Sequence, residues 1–502
     1  FYPLIKDDLR LMMLGDVFAA KRLMQIFAFT SRLTLKDIDL TQQMVEEYRS
    51  VEDNIKTDLP IPLVNRLNKI VKSWLRSFDP SRCKPGHGSG AVAFLRRASL
   101  EDKYRNLSTD QMLRYAFGGN DDWVVDFPPK LLLRRSQTIF VPKSYKTFRT
   151  ISMEPATLMY FQQGIWREID RVVLRDPYLR SHIDFHDQER NKALARRGSI
   201  ERDYATIDLS AASDSVSLEL VKGVFRGTSL LRYLLATRSR ETLLPDGVVI
   251  PLKKFAPMGS AVCFPVETLI FASVCELVTR ELRVPGHYSV FGDDIIVPTD
   301  CVDRTMQVLG ILGFRVNHDK SFYRSDCWFR ESCGGEYCDG FDVTPLRVTR
   351  RYSHRERDVR LEGLIDSANN AYQRGFRNLR EFYLLKIRET GLVPLFAPTA
   401  ILADNYTNYH TRHRWRKSLQ RIEVRISDTS DRYTVDDLSS QDESIRYRHW
   451  LELASHRKTM KDMSSNRYAR EAAFRRTLPP DAITSIVCKP TKSVRNTWRC
   501  KP

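Results

Sequence analysis

Two periodicities alternate along this chain. Over residues 1–80 the apolar positions recur at helical spacing. Counted from Leu63 they fall at i, i+4, i+7, i+8, i+11 and i+12 (Leu63, Leu67, Ile70, Val71, Trp74, Leu75), which is one helix face, and Pro60 and Pro62 break the chain before it. Segments 155–175 and 264–280 also have helical length and pattern, as does 305–312, where Gly313 supplies a stop. Strand character appears at 138–141 (TIFV), at 204–208 (YATID) and twice within 288–298, around Gly292-Asp293-Asp294. Gly- and Pro-punctuated loops fall at 82–90 (RCKPGHGSG) and 126–130 (DFPPK). Beyond about 350 strand signals thin out, and basic helical segments are expected to dominate. Segment 410–425 (HTRHRWRKSLQRIEVR), with five Arg, one Lys and Trp415, reads as a basic helix able to track a phosphate backbone and stack a base; His410 and His413 belong to it rather than to a metal site. From about 478 an irregular tail is expected, and no internal repeat is visible.

Charge changes the picture most. The 502 residues carry 80 Lys+Arg against 62 Asp+Glu, a net +18 and a pI near 9.5, which points to a polyanionic partner, nucleic acid ahead of an acidic membrane surface. The length suggests about three domains. An apolar content of 42% excludes wholesale disorder, and 22 Gly with 23 Pro exclude a collagen-like chain. Nine Cys without regular spacing are not a disulfide scaffold, so reduced thiols are expected. Cys327, Cys333 and Cys338 lack zinc-knuckle spacing. The longest apolar run, 268–278, is too short to span a bilayer, and no signal-like segment opens the chain. It begins at Phe1 rather than Met, which leaves room for a native N-terminus upstream.

The chemistry concentrates in two segments. In 288–298 two apolar β-type runs flank Gly292-Asp293-Asp294; glycine permits the tight turn, and adjacent carboxylates at its tip repel each other unless a cation joins them. A Gly-Asp-Asp string alone also describes an ordinary water-facing hairpin. In 206–215 (TIDLSAASDS), Asp208 ends an apolar strand, and the small residues after it suit a turn into a helix that Ser210 or Asp214 could cap. Together the segments supply the three carboxylates that two-metal phosphoryl transfer requires, provided the two elements are sheet neighbours.

The order of motifs resembles the palm of right-handed nucleic-acid polymerases. Asp208 to Asp214 is similar to motif A, Met258-Gly259-Ser260 and the apolar helix after it to motif B, Phe291-Gly292-Asp293-Asp294 to motif C, 314–322 (FRVNHDKSF) to motif D and 329–334 (FRESCG) to motif E. Upstream, Val141-Pro142-Lys143 through Lys146 and Arg149, with Glu154-Pro155, resembles the basic motif F of the fingers. The strings IDLSAASDS, VPKSYKT-R, FRESCG and DVTP resemble the replicase catalytic subunits of single-stranded RNA bacteriophages, the Qbeta-type family; Asp187-Gln188 with Asn191, and the loop at 87–92, do so too. The resemblance is strong over about 82–350 and weak outside it.

That resemblance implies an α+β right-hand fold, with fingers, a palm built on an antiparallel sheet and a helical thumb. The expected division is a helical region at 1–80, fingers at 81–200, palm at 201–350 with a fingers insertion near 222–255, and thumb with a basic region at 351–502. It implies RNA-directed RNA polymerase activity, replicating a phage genome by two-metal nucleotidyl transfer to an RNA 3′ end. Asp208 and Asp293 would bind two Mg²⁺ ions (Mn²⁺ being the substitute ion) and Asp294 would support one. One ion would lower the pKa of the 3′-OH, and the other would neutralise the leaving pyrophosphate. Lys320 would protonate pyrophosphate, and Lys143, Lys146 and Arg149 would hold the triphosphate. Gly259 and Ser260 would let the motif B loop approach the templating pair. Ser213 and Asp214 stand where a reverse transcriptase places an aromatic gate, so Asp214 is the candidate contact to the ribose 2′-OH. The usual Ser-Gly, Thr and distal Asn of motif B are absent, and Glu267 lies on the helix instead. Implied partners are single-stranded RNA template and product, ribonucleoside triphosphates, and host elongation factors Tu and Ts with a small-subunit ribosomal protein, in the bacterial cytoplasm and away from membranes. The competing readings are a reverse transcriptase, which the missing aromatic gate disfavours, and a non-catalytic RNA-binding or packaging protein, which the intact carboxylate set disfavours.

Overall fold

The apolar stretch at 264–280 becomes the helix Cys263–Leu282, in which every residue from 265 to 278 is buried. A helix apolar all round must be enclosed. Here the helix Ile61–Trp74 packs on it from one direction, and the strand Ser289–Phe291 and the helix Val302–Ile311 from others. In this computed structural model the described residues are 2–29, 31, 40–95, 98–117, 132–143, 148–347, 357–389, 413–416, 421–436 and 487–499. The fold is α+β.

Beside the buried helix lies a three-stranded antiparallel sheet in the order Tyr204–Ile207, Asp294–Pro298, Ser289–Phe291. The strand Tyr204–Ile207 is buried at every position, so it reads as a continuous apolar run instead of an alternation. Its free edge is covered by a bridge from Thr206 to Phe322, and the far edge by a bridge between Val290 and Ile183. Both edges of a short, mostly buried sheet are thereby capped. The helices Ala156–Arg175 and Glu189–Glu201 complete the surround; one continuous core joins the central helix, the sheet and Ala156–Arg175 to the N-terminal helix Ile61–Trp74, while Ala195 of Glu189–Glu201 packs with Tyr204 and Ile296 in a smaller cluster.

A second sheet has the order Phe148–Met153, Arg135–Pro142, Glu241–Leu243, Val249–Pro251, with one parallel pairing between the middle strands. Segment 241–251 therefore returns to the strand that follows the 82–90 region, across about a hundred residues of chain. A third sheet, Phe329–Ser332, Gly335–Cys338 and Phe341–Asp342, packs on Glu189–Glu201. After it, the helices Arg357–Gln373 and Arg377–Arg388 form a hairpin with its own core of Leu364, Ile365, Ala368, Tyr383 and Ile387. The helix Val17–Ala28 reaches this unit through Gln25, which exchanges hydrogen bonds of 2.8 and 2.7 Å with the backbone of Leu346.

Two expectations fail. The described parts of 410–425 are not helical: His413–Arg416 and Arg421–Asp436 are antiparallel strands, and Val487–Arg499, within the expected irregular tail, is the third strand of their sheet. Ile422, Val424 and Ile426 alternate with period two, the strand signal, and the density of arginines masks it. His410 lies outside the described residues. The second failure concerns the turn after Asp208, where neither Ser210 nor Asp214 caps a helix. Ser210 is in the short strand Leu209–Ser210, paired with Arg315–Val316, and Asp214 lies inside the short helix Ala212–Ser215.

Phe271 is fully buried on the central helix and meets Phe314 edge to face, ring centroids 4.9 Å apart. Phe271→Ala is expected to cost about 3–5 kcal/mol in chemical denaturation. A loss below about 1 kcal/mol would show that this helix is not the centre of the core.

Candidate active site

Backbone pairing brings the carboxylates together. In the ladder between the strands Tyr204–Ile207 and Asp294–Pro298, Ile207 faces Ile295. One step further Asp208 comes opposite Asp294, while Phe291 pairs with Asp294 across a two-residue tip of Gly292 and Asp293. Gly292 has φ +63°, and a Cβ there would stand 2.5 Å from a Phe264 ring carbon, so no other residue fits the tip. The tip is fastened to the central helix, because the Gly292 N–H donates to Thr268 Oγ1 at 3.1 Å.

Asp294 and Asp208 each have a dedicated support. Asp294 Oδ1 accepts from the Cys333 N–H at 2.9 Å and from the Ser332 hydroxyl at 3.2 Å. Buried Asn191 ties this corner together: its Nδ2 donates to the Asp294 carbonyl at 3.2 Å and to Ser332 Oγ at 3.3 Å, and its Oδ1 accepts from Ser289 at 2.6 Å. Asp208 Oδ2 accepts from Asn317 Nδ2 at 3.0 Å, its N–H donates to Ser321 Oγ at 3.0 Å, and its carbonyl accepts from the Asn317 N–H at 2.9 Å. The 314–322 segment thus clasps Asp208 on both sides of Lys320.

The electrostatics are those of an anionic centre ringed by cations. Desolvation raises the pKa of Asp208; Asp294 adds to the shift, while Lys320, Asn317 and Lys143 oppose it. Desolvation also raises Asp293, helped by Asp294 and Asp208 and opposed by Lys143. Glu331, on the strand Phe329–Ser332, is pushed up to about 7, first by burial and then by Asp294, Glu336 and Asp208. Lys143 is lowered by desolvation and by the neighbouring Lys320 and Arg149 cations, against the pull of Asp208 and Asp293. The structure therefore brings Asp208, Asp293, Asp294, Lys143, Arg149 and Lys320 into one electrostatic neighbourhood; Lys146 lies outside the described residues. Among the described residues no group of three His, Cys, Asp or Glu is placed so as to hold a metal ion by itself. An all-oxygen carboxylate set under mutual repulsion nonetheless fits a hard divalent cation, because Mg²⁺ takes only one or two carboxylates and fills its shell with water and substrate phosphates.

The remaining predicted positions lie around this centre. Asp214 Oδ1 accepts from Lys254 Nζ at 2.8 Å, and the fully buried Lys254 also pairs with Glu52 Oε2 at 3.2 Å. Glu267 is buried on the central helix, facing Ser213, Asp293 and Asp214; burial first, with the two aspartates adding, pushes it up to about 8. Its Oε2 has no hydrogen-bond partner among the described residues. Gly259 has φ +122°, and a Cβ there would lie 2.2 Å from the Ser152 carbonyl oxygen. The close approach that demands glycine is thus to the strand Phe148–Met153, within the protein. Buried Ser260 starts the turn into the central helix, its Oγ accepting from the Val262 N–H at 3.4 Å.

Sequence reasoning missed Asn317, Ser321, Ser332, Glu331, Lys254 and Glu52. The first four lie inside the quoted motif strings, so an acceptor or donor beside each aspartate was there to find. No local signal links Lys254 to Glu52, 202 residues away.

The family model described as "RNA replicase, beta-chain" matches residues 109–377. The RNA-directed RNA polymerase subunit beta of Qbeta virus (strain MX1) is 40% identical over 220 residues, 43% of this chain and 36% of that protein. The corresponding subunit of Enterobacteria phage SP is 41% identical over 228 residues, 45% of this chain and 38% of that protein. The match thus spans little more than a third of the length of these curated relatives. Among solved structures, the RNA-dependent RNA polymerase of a human picorbirnavirus aligns at 12% identity with a TM-score of 0.49, covering 80% of this chain and 83% of that one.

With its folded pKa near 8, above the ordinary 4.5, Glu267 holds its proton more tightly in the folded than in the unfolded chain. Stability from this group is complete below about pH 4.5 and is lost as pH rises toward 8. Glu267→Gln mimics the protonated acid. In metal-free buffer its melting temperature is expected to match wild type near pH 4, to exceed it increasingly as pH rises toward 8, and to level off above that. A difference independent of pH would mean that Glu267 is ionised in the folded chain.

Proposed function

The chain belongs to the RNA replicase beta-chain family, and from that premise we propose that it is an RNA-directed RNA polymerase that copies a single-stranded RNA phage genome. The observation that carries this reading is the register that sets Asp208 opposite Asp294 and beside Asp293, with Lys143, Arg149 and Lys320 around them. In this reading 81–200 forms the fingers, 201–350 the palm with an insertion near 222–255, and 351–502 the thumb and basic region.

Asp208 and Asp293 would hold two Mg²⁺ ions, and Asp294, fixed by Cys333 and Ser332, would support one of them. Bound there, the ions supply positive charge at the reacting oxygens. Lys143, Lys146 and Arg149 bind the incoming triphosphate and draw its charge toward the carboxylates. Asp214 takes a ribose hydroxyl. The 3′-hydroxyl oxygen of the growing RNA bonds to the α-phosphorus and gives up its proton to solvent water. The bond to pyrophosphate breaks, and Lys320 hands that leaving group a proton. Asn317 and Ser321 hold Asp208 still while this happens, so little reorganisation is left for the reaction.

The net charge of +18 suits a single-stranded RNA template and product. Among the described residues no helix is long and apolar enough to cross a membrane. Host elongation factors Tu and Ts and a small-subunit ribosomal protein in the bacterial cytoplasm complete the proposal as partners.

The test is RNA synthesis by the purified chain with Mg²⁺, four ribonucleotides and a single-stranded RNA template, with and without bacterial extract. Wild type is expected to make product, and Asp293→Asn to make essentially none while keeping its RNA affinity. Equal synthesis by both proteins would contradict the carboxylate assignment. RNA binding without product, even with extract, would favour the non-catalytic reading.

A further inference from the structure

We propose that Lys254, anchored by Glu52 of the N-terminal helix Thr41–Asp53, is a positioning residue for sugar recognition: it orients Asp214 so that one carboxylate oxygen stays free for a ribose hydroxyl. The inference rests on the reading of Asp214 as the ribose contact given above.

Lys254 is wholly enclosed, at 0% side-chain exposure, while Glu52 is 4% and Asp214 18% exposed. A buried ammonium requires partners for its charge and its donors. Its Nζ donates to Asp214 Oδ1 at 2.8 Å, has Glu52 Oε2 as an ion-pair partner at 3.2 Å without hydrogen-bond geometry, and stands 3.9 Å from the centroid of the Tyr48 ring. Burial opposes its charge, but Asp214, Tyr48 and Glu52 outweigh burial and the net shift is upward, so it stays protonated. Tyr48 and Glu52 come from the same helix, at i and i+4, and therefore share a face.

The backbone around Lys254 is stitched to the turn that carries Asp214. The Phe255 N–H donates to the Val216 carbonyl at 2.8 Å, and the Leu218 N–H to the Lys253 carbonyl at 2.9 Å. Glu52 Oε1 accepts from the Lys254 N–H at 3.0 Å and from the Lys253 N–H as well. With both its main chain and its side chain fixed, Lys254 leaves Asp214 one orientation. Oδ1 is engaged, and Oδ2 has no hydrogen bond among the described residues. Asp214 shares Glu267 as a neighbour with Asp293, which places it beside the carboxylate centre. A charged, half-fixed carboxylate there accepts a hydroxyl hydrogen bond that a 2′-deoxy sugar cannot offer.

The experiment measures equilibrium affinities of ATP and 2′-deoxyATP for the full chain with Mg²⁺ on an RNA primer-template whose next templating base is uracil and whose primer ends in a 3′-deoxynucleotide, so that no bond can form. Wild type is expected to prefer ATP. Asp214→Asn should reduce that preference roughly tenfold. Lys254→Met should reduce it similarly, leave 2′-deoxyATP affinity unchanged, and add nothing to Asp214→Asn in the double variant. Because Lys254→Met strands Glu52 as a buried charge, Lys254→Met with Glu52→Gln is the second variant, and the same loss of preference is expected. If Asp214→Asn loses the preference while Lys254→Met/Glu52→Gln keeps it, the positioning inference falls and the ribose reading stands. If the Lys254 variants weaken both nucleotides equally, Lys254 is only structural. If wild type binds both nucleotides alike, or Asp214→Asn keeps the preference, the ribose reading itself falls.

Discussion

Antiparallel register between two short strands is the constraint on which the site depends. Ile207 opposite Ile295 puts Asp208 opposite Asp294, and a slip of one residue would send Asp208 to the other face of the sheet. The register is secured by burial, because the strand Tyr204–Ile207 is enclosed on both faces and each step of slippage would misplace Ala205 and Ile207. The helix Cys263–Leu282 carries out the same task at the turn, holding Gly292 through Thr268 and Phe264.

Around that register the molecule keeps negative charge in place at the cost of raised pKa values. Asp208, Asp293, Glu331 and Glu267 are all pushed up, chiefly by desolvation, and of these four Asp208 has the fullest set of hydrogen-bonding supports. Lys143, Arg149 and Lys320 approach without forming close ion pairs to the aspartates among the described residues. A site that neutralised its own carboxylates with lysine would have nothing left for a cation or a triphosphate. Lys254 shows the contrast, since it does pair fully, and it pairs with Asp214 outside the central carboxylate set.

Much of this was legible in the chain itself. The helix at 264–280, the strand ending at Asp208 and the hairpin at 288–298 each follow from an apolar run of fitting length bounded by turn residues. The order of the motifs pointed to the family before any coordinates. Long-range polar pairing was not legible. For Asp214 local rules offer a helix cap and the motif offers a ribose contact, but neither foretells the buried lysine 40 residues away that pairs with it. At 410–425 charge was read in place of period, and the alternation of Ile422, Val424 and Ile426 went unweighed. Gly259 was legible as a glycine that must stay glycine, but the group it makes room for, the Ser152 carbonyl, is set by a strand pairing that no local pattern encodes.

The most direct measurement of the central claim is Mn²⁺ binding to the full chain followed by electron paramagnetic resonance. Convergence of Asp208 and Asp293 predicts saturable binding in the wild type that is abolished by Asp208→Asn and unchanged by Glu276→Gln, a carboxyl held by Tyr288 and Arg280 away from the centre. Binding that survives Asp208→Asn undiminished would contradict it.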